Sequence, residues 1–393
     1  MTSPDPGRSP ASGSSAAGTA DAPVRRPLPA MLVAGVVGLV LGYVALLLVN
    51  AGIGLIWEDI PASWETMPAW YIVGVLLLAA VLVYVIRRFI GDTGHSPIGG
   101  ITVSPLTPRD YVAAILAILA SLWGGVVLGP EVALVATGSM VGTVTAKAMG
   151  FTDAASLKKI VGFGALGAIL ALLVGPILSG SVQLGTSPTA IEVEQLAWAI
   201  PLAIIASVAV TVSRLVAALV ARAAGNGPHL VILIVAALIV AVSGLLLQFW
   251  TGESVLFIIT SGEELITELP TITAVSTAVA VIVLKSIAYA VSLGAGYRGG
   301  PFFPGMFVGA ASGLLISLLI PNGPSVEAAL VVGVVAATIA CAPMKWPVAI
   351  ILGVVIGFVM GTWTLVPAAV IGAVVARAIP RWGDRVTVPA HAG

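Results

Sequence analysis

GGVVLGPEVALVATGSMVG, Gly124 to Gly142, places one carboxylate, Glu131, in an otherwise apolar run, directly after a Gly-Pro pair. An acid inside a membrane helix costs about 2.5–3.5 kcal/mol on insertion scales, and such acids usually have a function. Proline suits the first helical position, and glycine permits the turn before it. The first N–H groups of a helix lack internal partners, and its macrodipole places roughly half a positive charge there. A helix start buried at this point therefore attracts a small anion. Glu131 stands in its first turn. Either its carboxylate occupies the anion's place and leaves when protonated or outcompeted, or it only caps its helix. The insertion cost favours the gate.

The surrounding chain says what kind of solvent this helix meets. Of 393 residues, 59% are hydrophobic and only 9% charged, against roughly a quarter charged in soluble domains. Runs such as Met31–Trp57 are long enough to cross a ~30 Å hydrocarbon core. Backbone in lipid must satisfy its own hydrogen bonds, which predicts helices, and the runs lack the alternation of a β-barrel. Apolar segments fall near 31–57, 70–90, 111–128, 131–150, 158–178, 196–222, 229–250, 271–296, 302–320, 326–342, 346–362 and 364–380. Zero net charge gives no sign of nucleic-acid binding. The single Cys341 excludes an intrachain disulfide and a cysteine zinc site, and His95, His229 and His391 lack ligand spacing. No metal or cofactor is expected. Nor does the chain offer the nucleophile–base set or HExxH of an intramembrane enzyme.

Residues 1–28, rich in Ser, Gly, Ala and Pro, read as a disordered tail, and 383–393 as a short second tail. Arg25 and Arg26 precede the first apolar run; Glu58, Asp59 and Glu65 follow it; Arg87 and Arg88 follow the next. The positive-inside rule places the N-terminus in the cytoplasm. Arg377, Arg381 and Arg385 place the C-terminus there too, and acidic Gly262–Pro270 outside. A cell-membrane, multi-pass protein is expected, with no room for a soluble regulatory domain.

A second Gly-Pro start lies in GGPFFPGMFVGAASG, Gly299 to Gly313. Gly129, Pro130, Gly138 and Gly142 match Gly300, Pro301, Gly309 and Gly313 at a constant offset of 171, and Gly162 and Gly333 keep it. Duplication explains this, giving repeats at 29–195 and 196–382, inverted in the bilayer if each has an odd number of crossings. Interrupted helices in matching halves point to a transport site. Two such starts meeting near the midplane would replace an anion's water shell with amides, weakly enough for release.

Other polar residues have two readings each. Lys285, in an apolar run, either draws anions into a vestibule or has a structural role, snorkelling or meeting a helix C-terminus; the structural role is preferred. Arg298 either raises the potential of the site or binds carbonyls. His95 and Ser96, in GDTGHSPIGG, mark a polar turn or bring a hydroxyl to the anion.

These residues resemble the CLC chloride channel/transporter family, in particular its short bacterial branch without CBS domains. GGVVLGPEVAL resembles the family's GGxxLGxEGP segment and makes Glu131 the external gating glutamate. Val283–Gly313 resembles the segment around its GxFxP motif, read as Gly300, Phe302 and Pro304. GHSPIGG stands in place of the GSGIP loop and matches it poorly. The resemblance implies an all-α polytopic fold of tilted and partly spanning helices in an inverted repeat. It also implies a homodimer with one pore per subunit, selective for chloride or a similar small anion, with Ser96, Gly129, Glu131, Gly300, Phe302 and Phe303 at the anion.

The departures matter. Pro130 precedes Glu131, and Val132-Ala133 replace the Gly-Pro that usually follows it. Pro130 and Pro301 each remove one N–H, leaving the amides of Glu131, Phe302 and Phe303. Aligning the family's NAPL-like turn on Gly175-Pro176 puts Gly185 and Thr186 where its transporters carry an internal glutamate; the nearest acids are Glu192 and Glu194. The pore tyrosine near the C-terminus has no counterpart, since the last tyrosine is Tyr297. Passive anion conduction is therefore expected. The alternatives are a proton-coupled anion exchanger (H+/Cl− antiporter) of the same fold and a non-transporting descendant.

Overall fold

The computed structural model describes residues 26–93, 98, 102–179, 196–225, 227–320, 322–342, 344–360 and 363–379, with side chains of 175–179 left out. The first tail to residue 25, His95, Ser96, Gly185, Thr186, Glu192, Glu194, Arg381, Arg385 and the last tail lie outside them. The described residues form twelve α-helices: α1 Leu28–Gly54, α2 Ala69–Val85, α3 Pro108–Trp123, α4 Glu131–Ala148, α5 Ala154–Ser179, α6 Ala199–Ala224, α7 Leu230–Thr251, α8 Val275–Gly294, α9 Phe302–Leu319, α10 Val326–Cys341, α11 Trp346–Met360 and α12 Val366–Ala378. Seven helices are long and apolar enough to cross a membrane; α10, α11 and α12 are shorter. The fold is all-α and polytopic, with tilted and partly spanning helices in an inverted repeat.

Side chains sort by size as lipid demands. In α1 the buried positions are Ala30, Ala34, Gly38, Gly42, Ala45 and Val49, while Leu32, Val36, Val40, Val44 and Leu47 face outward. Lipid tails are as apolar as leucine, so helices associate through close van der Waals packing, which small residues allow. Every residue of α10 from Ala328 to Cys341 is buried, so this short helix forms part of the centre.

The repeat is visible in helix length and packing. Helices α4 and α9 have 18 residues each, starting 171 apart. Helix α4 packs with α1 and α5 as α9 packs with α6 and α10. A Cβ on Gly138 would lie 2.2 Å from the Gly164 carbonyl oxygen, and one on Gly309 2.2 Å from that of Gly333. Gly333 thus has Gly164 as its counterpart. The match with Gly162 is a coincidence of spacing, since nothing lies within 4 Å of a Cβ there. The turn expected at Gly175-Pro176 is also absent: α5 runs through both residues to Ser179.

Candidate functional site: two helix starts around one carboxylate

Pro130 and Pro301 hold helical φ,ψ at the entries of α4 and α9. The glycines before them meet. Gly129 N–H donates to Gly300 O at 2.8 Å and Gly300 N–H to Gly129 O at 2.7 Å, an isolated antiparallel bridge. The side chain of Glu131 crosses from the first start to the second, where Phe302 N–H donates to its Oε1 at 2.6 Å. Donor and acceptor are 171 residues apart, so Glu131 binds the amide of its own repeat counterpart. The amides of Phe303 and of Glu131 itself also interact with the carboxylate. Glu131 is 3% exposed, and its Oε2 has no hydrogen-bond partner among the described residues. A buried carboxylate oxygen left bare is costly, and such exceptions need a reason.

Gly129 and Gly300, expected at the anion, stand at the two helix starts, and each N–H is taken by the other glycine. They provide room instead. A Cβ on Gly300 would lie 1.9 Å from Glu131 Cδ, and one on Gly129 2.0 Å from Oε2. The donors facing the carboxylate belong to Phe302, Phe303 and Glu131.

Lys285 and Arg298, the cations with two readings each, have structural partners. Lys285, fully buried, donates to the carbonyls of Ile259 at 3.2 Å and Thr260 at 3.1 Å, and its Nζ lies 4.7 Å from the Phe307 ring centroid. It neither snorkels nor faces a vestibule. Arg298 pairs with Asp92, which also takes two bonds from Arg87, so its partner is a carboxylate rather than a carbonyl. Burial pushes the Asp92 carboxyl up, but the hydrogen bond from Arg87 and the charges of Arg298 and Arg87 outweigh it and hold the group below its usual value. Arg87 also donates to Gly296 O at 2.6 Å, tying the end of α2 to the approach of α9.

Beside Pro130 is a cavity of about 90 Å³, lined in part by Glu58, Thr260, Glu263, Glu264 and Glu268. Thr260 has φ 60°, a left-handed conformation costly for a β-branched residue. Its N–H donates to Gly125 O at 3.0 Å, which holds the acidic segment against the entry of α4. Burial first, then the charges of Glu264 and Glu131, push the Glu263 carboxyl up to about 8.

Sequence reasoning passes over two residues. Tyr289 Oη donates to Pro301 O at 2.8 Å and Cys341 Sγ to the same oxygen at 3.4 Å. The only signal was a phenol hydroxyl in an apolar helix, which needs a partner when buried.

The profile of the voltage gated chloride channel family matches residues 159–381, more than half the chain. It includes α9 and the second helix start but not Glu131. No curated protein matches the chain in sequence. Solved structures are similar over almost its whole length. A slow cyanobacterial Cl−/H+ antiporter has TM-score 0.68 and 18% identity, covering 90% of this chain and 93% of its own. A CLC-type fluoride/proton antiporter has TM-score 0.66 and 16% identity, with coverage of 90% and 96%. A eukaryotic CLC transporter has TM-score 0.59 and 17% identity, with coverage of 92% and 72%. At identities this low, the likeness shows the fold alone.

Proposed function

Since the chain belongs to the voltage-gated chloride channel family, whose members transport anions across membranes, we propose that it conducts chloride or a similar small anion passively, with Glu131 as the gate. The observation that carries this reading is the bond from Phe302 N–H to Glu131 Oε1. Amides at a helix start suit a small anion, and here a tethered carboxylate takes that place. While Glu131 is ionised and seated, an external anion meets a filled site. Protonation, or competition by the anion, frees Phe302 N–H. Amides carry no full charge, so the ion binds and leaves.

Passive conduction is preferred because no side chain from Ile160 to Ile191 titrates. Proton-coupled exchange is the other reading; two structures of similar fold are described as antiporters. Two copies of the chain are expected to form a dimer with one pathway each, both termini in the cytoplasm and the acidic cavity outside. Purified protein in chloride-loaded liposomes distinguishes the readings when chloride efflux and lumenal pH are recorded together. Efflux without accompanying proton movement, with its external pH dependence reduced by Glu131→Gln, is the expected result. Stoichiometric proton movement against its gradient would replace conduction with exchange. Unchanged pH-dependent flux in the variant would remove Glu131 from the gate.

A further inference from the structure

Pro301 C=O and Phe302 N–H belong to one peptide unit. The chain has no cis peptide bonds among its described residues, so this carbonyl and amide point in opposite directions. Glu131 takes the amide at 2.6 Å, and on the far side Tyr289 Oη donates to the carbonyl at 2.8 Å. Cys341 Sγ supplies a weaker donor to the same oxygen at 3.4 Å. The first repeat differs. There the Pro130 carbonyl accepts from the Ala133 and Leu134 amides, as a helix-start carbonyl ordinarily does. The second start has side chains in that role. Tyr289 and Cys341 are fully buried, and Arg214 holds the end of α10 beside them by donating to Ala340 O at 3.0 Å. A peptide that accepts at its oxygen is polarised and donates more strongly at its N–H.

We propose that Tyr289, seconded by Cys341, is a positioning residue of the anion site: it orients and polarises the Pro301–Phe302 peptide, and so sets how tightly that amide holds either the Glu131 carboxylate or the transported anion. Tyr289 touches neither; it acts through one peptide bond. This rests on the gate reading for Glu131 and on the Phe302 amide for the ion.

The test uses Tyr289→Phe, which removes the hydroxyl and keeps the ring. Chloride binding is measured by titration calorimetry on purified Glu131→Gln protein, where the tethered carboxylate no longer competes. Adding Tyr289→Phe should weaken chloride binding roughly threefold to tenfold, the range of one buried neutral hydrogen bond. With Glu131 present, the same change should raise the external pH at half-maximal flux, because a carboxylate held less firmly accepts a proton sooner. Cys341→Ala should act in the same direction and more weakly, and it decides the matter if Tyr289→Phe does not fold. Unchanged chloride affinity in the Glu131→Gln background, with an unchanged pH midpoint, would overturn the proposal. A failure of Glu131→Gln to alter gating would sink the gate reading alone, since the calorimetric comparison still judges Tyr289.

Discussion

At the level of single residues, the site depends on what is missing as much as on what is present. Two positions without a Cβ leave the space that Glu131 fills, and one N–H holds it. Gly300→Ala is therefore expected to expel the carboxylate, because the new methyl would stand 1.9 Å from Glu131 Cδ. The variant should conduct with the reduced external pH dependence of Glu131→Gln, measurable as liposome efflux between acid and alkaline outer pH. Wild-type pH dependence in a well-folded Gly300→Ala protein would mean that the carboxylate does not sit in this slot. Glu131 itself was legible in the sequence because an acid in an apolar run is expensive enough to demand a reason. The spacing of Gly129 and Gly300 marks the helix starts, but that their amides pair with each other is a long-range contact that no local pattern shows. Tyr289 was invisible because its contact joins α8 to a carbonyl at the entry of α9.

At the level of helices, the fold rests on close backbone approach. Gly138 and Gly142 on α4, and Gly309 and Gly313 on α9, repeat the four-residue spacing of small residues that lets membrane helices touch. Gly138→Leu or Gly309→Leu would drive a side chain into the carbonyl of Gly164 or Gly333. Overpacking of this kind typically costs about 1–3 kcal/mol, and more where backbone blocks relaxation. Both variants are expected to lose folded protein, seen as a lower thermal midpoint in detergent, whereas Gly162→Ala, with open space around it, should be neutral. Equal stability of all three would contradict the packing. The twelve apolar segments were readable from hydropathy, since lipid imposes the helix. Their ends were harder. Gly175-Pro176 looks like a breaker, yet α5 continues through it, as membrane helices tolerate such residues when neighbours restore the hydrogen bonds.

For the whole molecule, the proposed function has the anion pathway open beside an acid-lined cavity on the outer side, and this gives it a built-in response to external pH. Glu263, pushed up to about 8, is neutral below that pH and charged above it. Glu58, Glu264 and Glu268 share the cavity, Glu131 lies near enough to repel Glu263, and the Lys285 ammonium is occupied by carbonyls. The sign follows: alkaline medium adds a negative charge at the mouth and opposes anion entry. In Glu131→Gln protein, where the gate no longer titrates, flux should fall as outer pH rises through a midpoint below the wild-type value for Glu263, because the substitution removes the Glu131 charge that helps to raise it, and adding Glu263→Gln should abolish the fall. A fall that persists in the double variant would assign it to another group. The family match over 159–381 includes the second helix start; Glu131 lies before it, tied to that start by the bridge and the Phe302 bond.

The central claim is that Glu131 and the transported anion use the same amide. Anomalous scattering from bromide-soaked crystals tests it most directly. Glu131→Gln protein should show a bromide peak within hydrogen-bond distance of Phe302 N, and wild-type protein with Glu131 seated should show none there. A bromide peak at that position in both proteins, or in the variant only at a place remote from Phe302, would contradict the account.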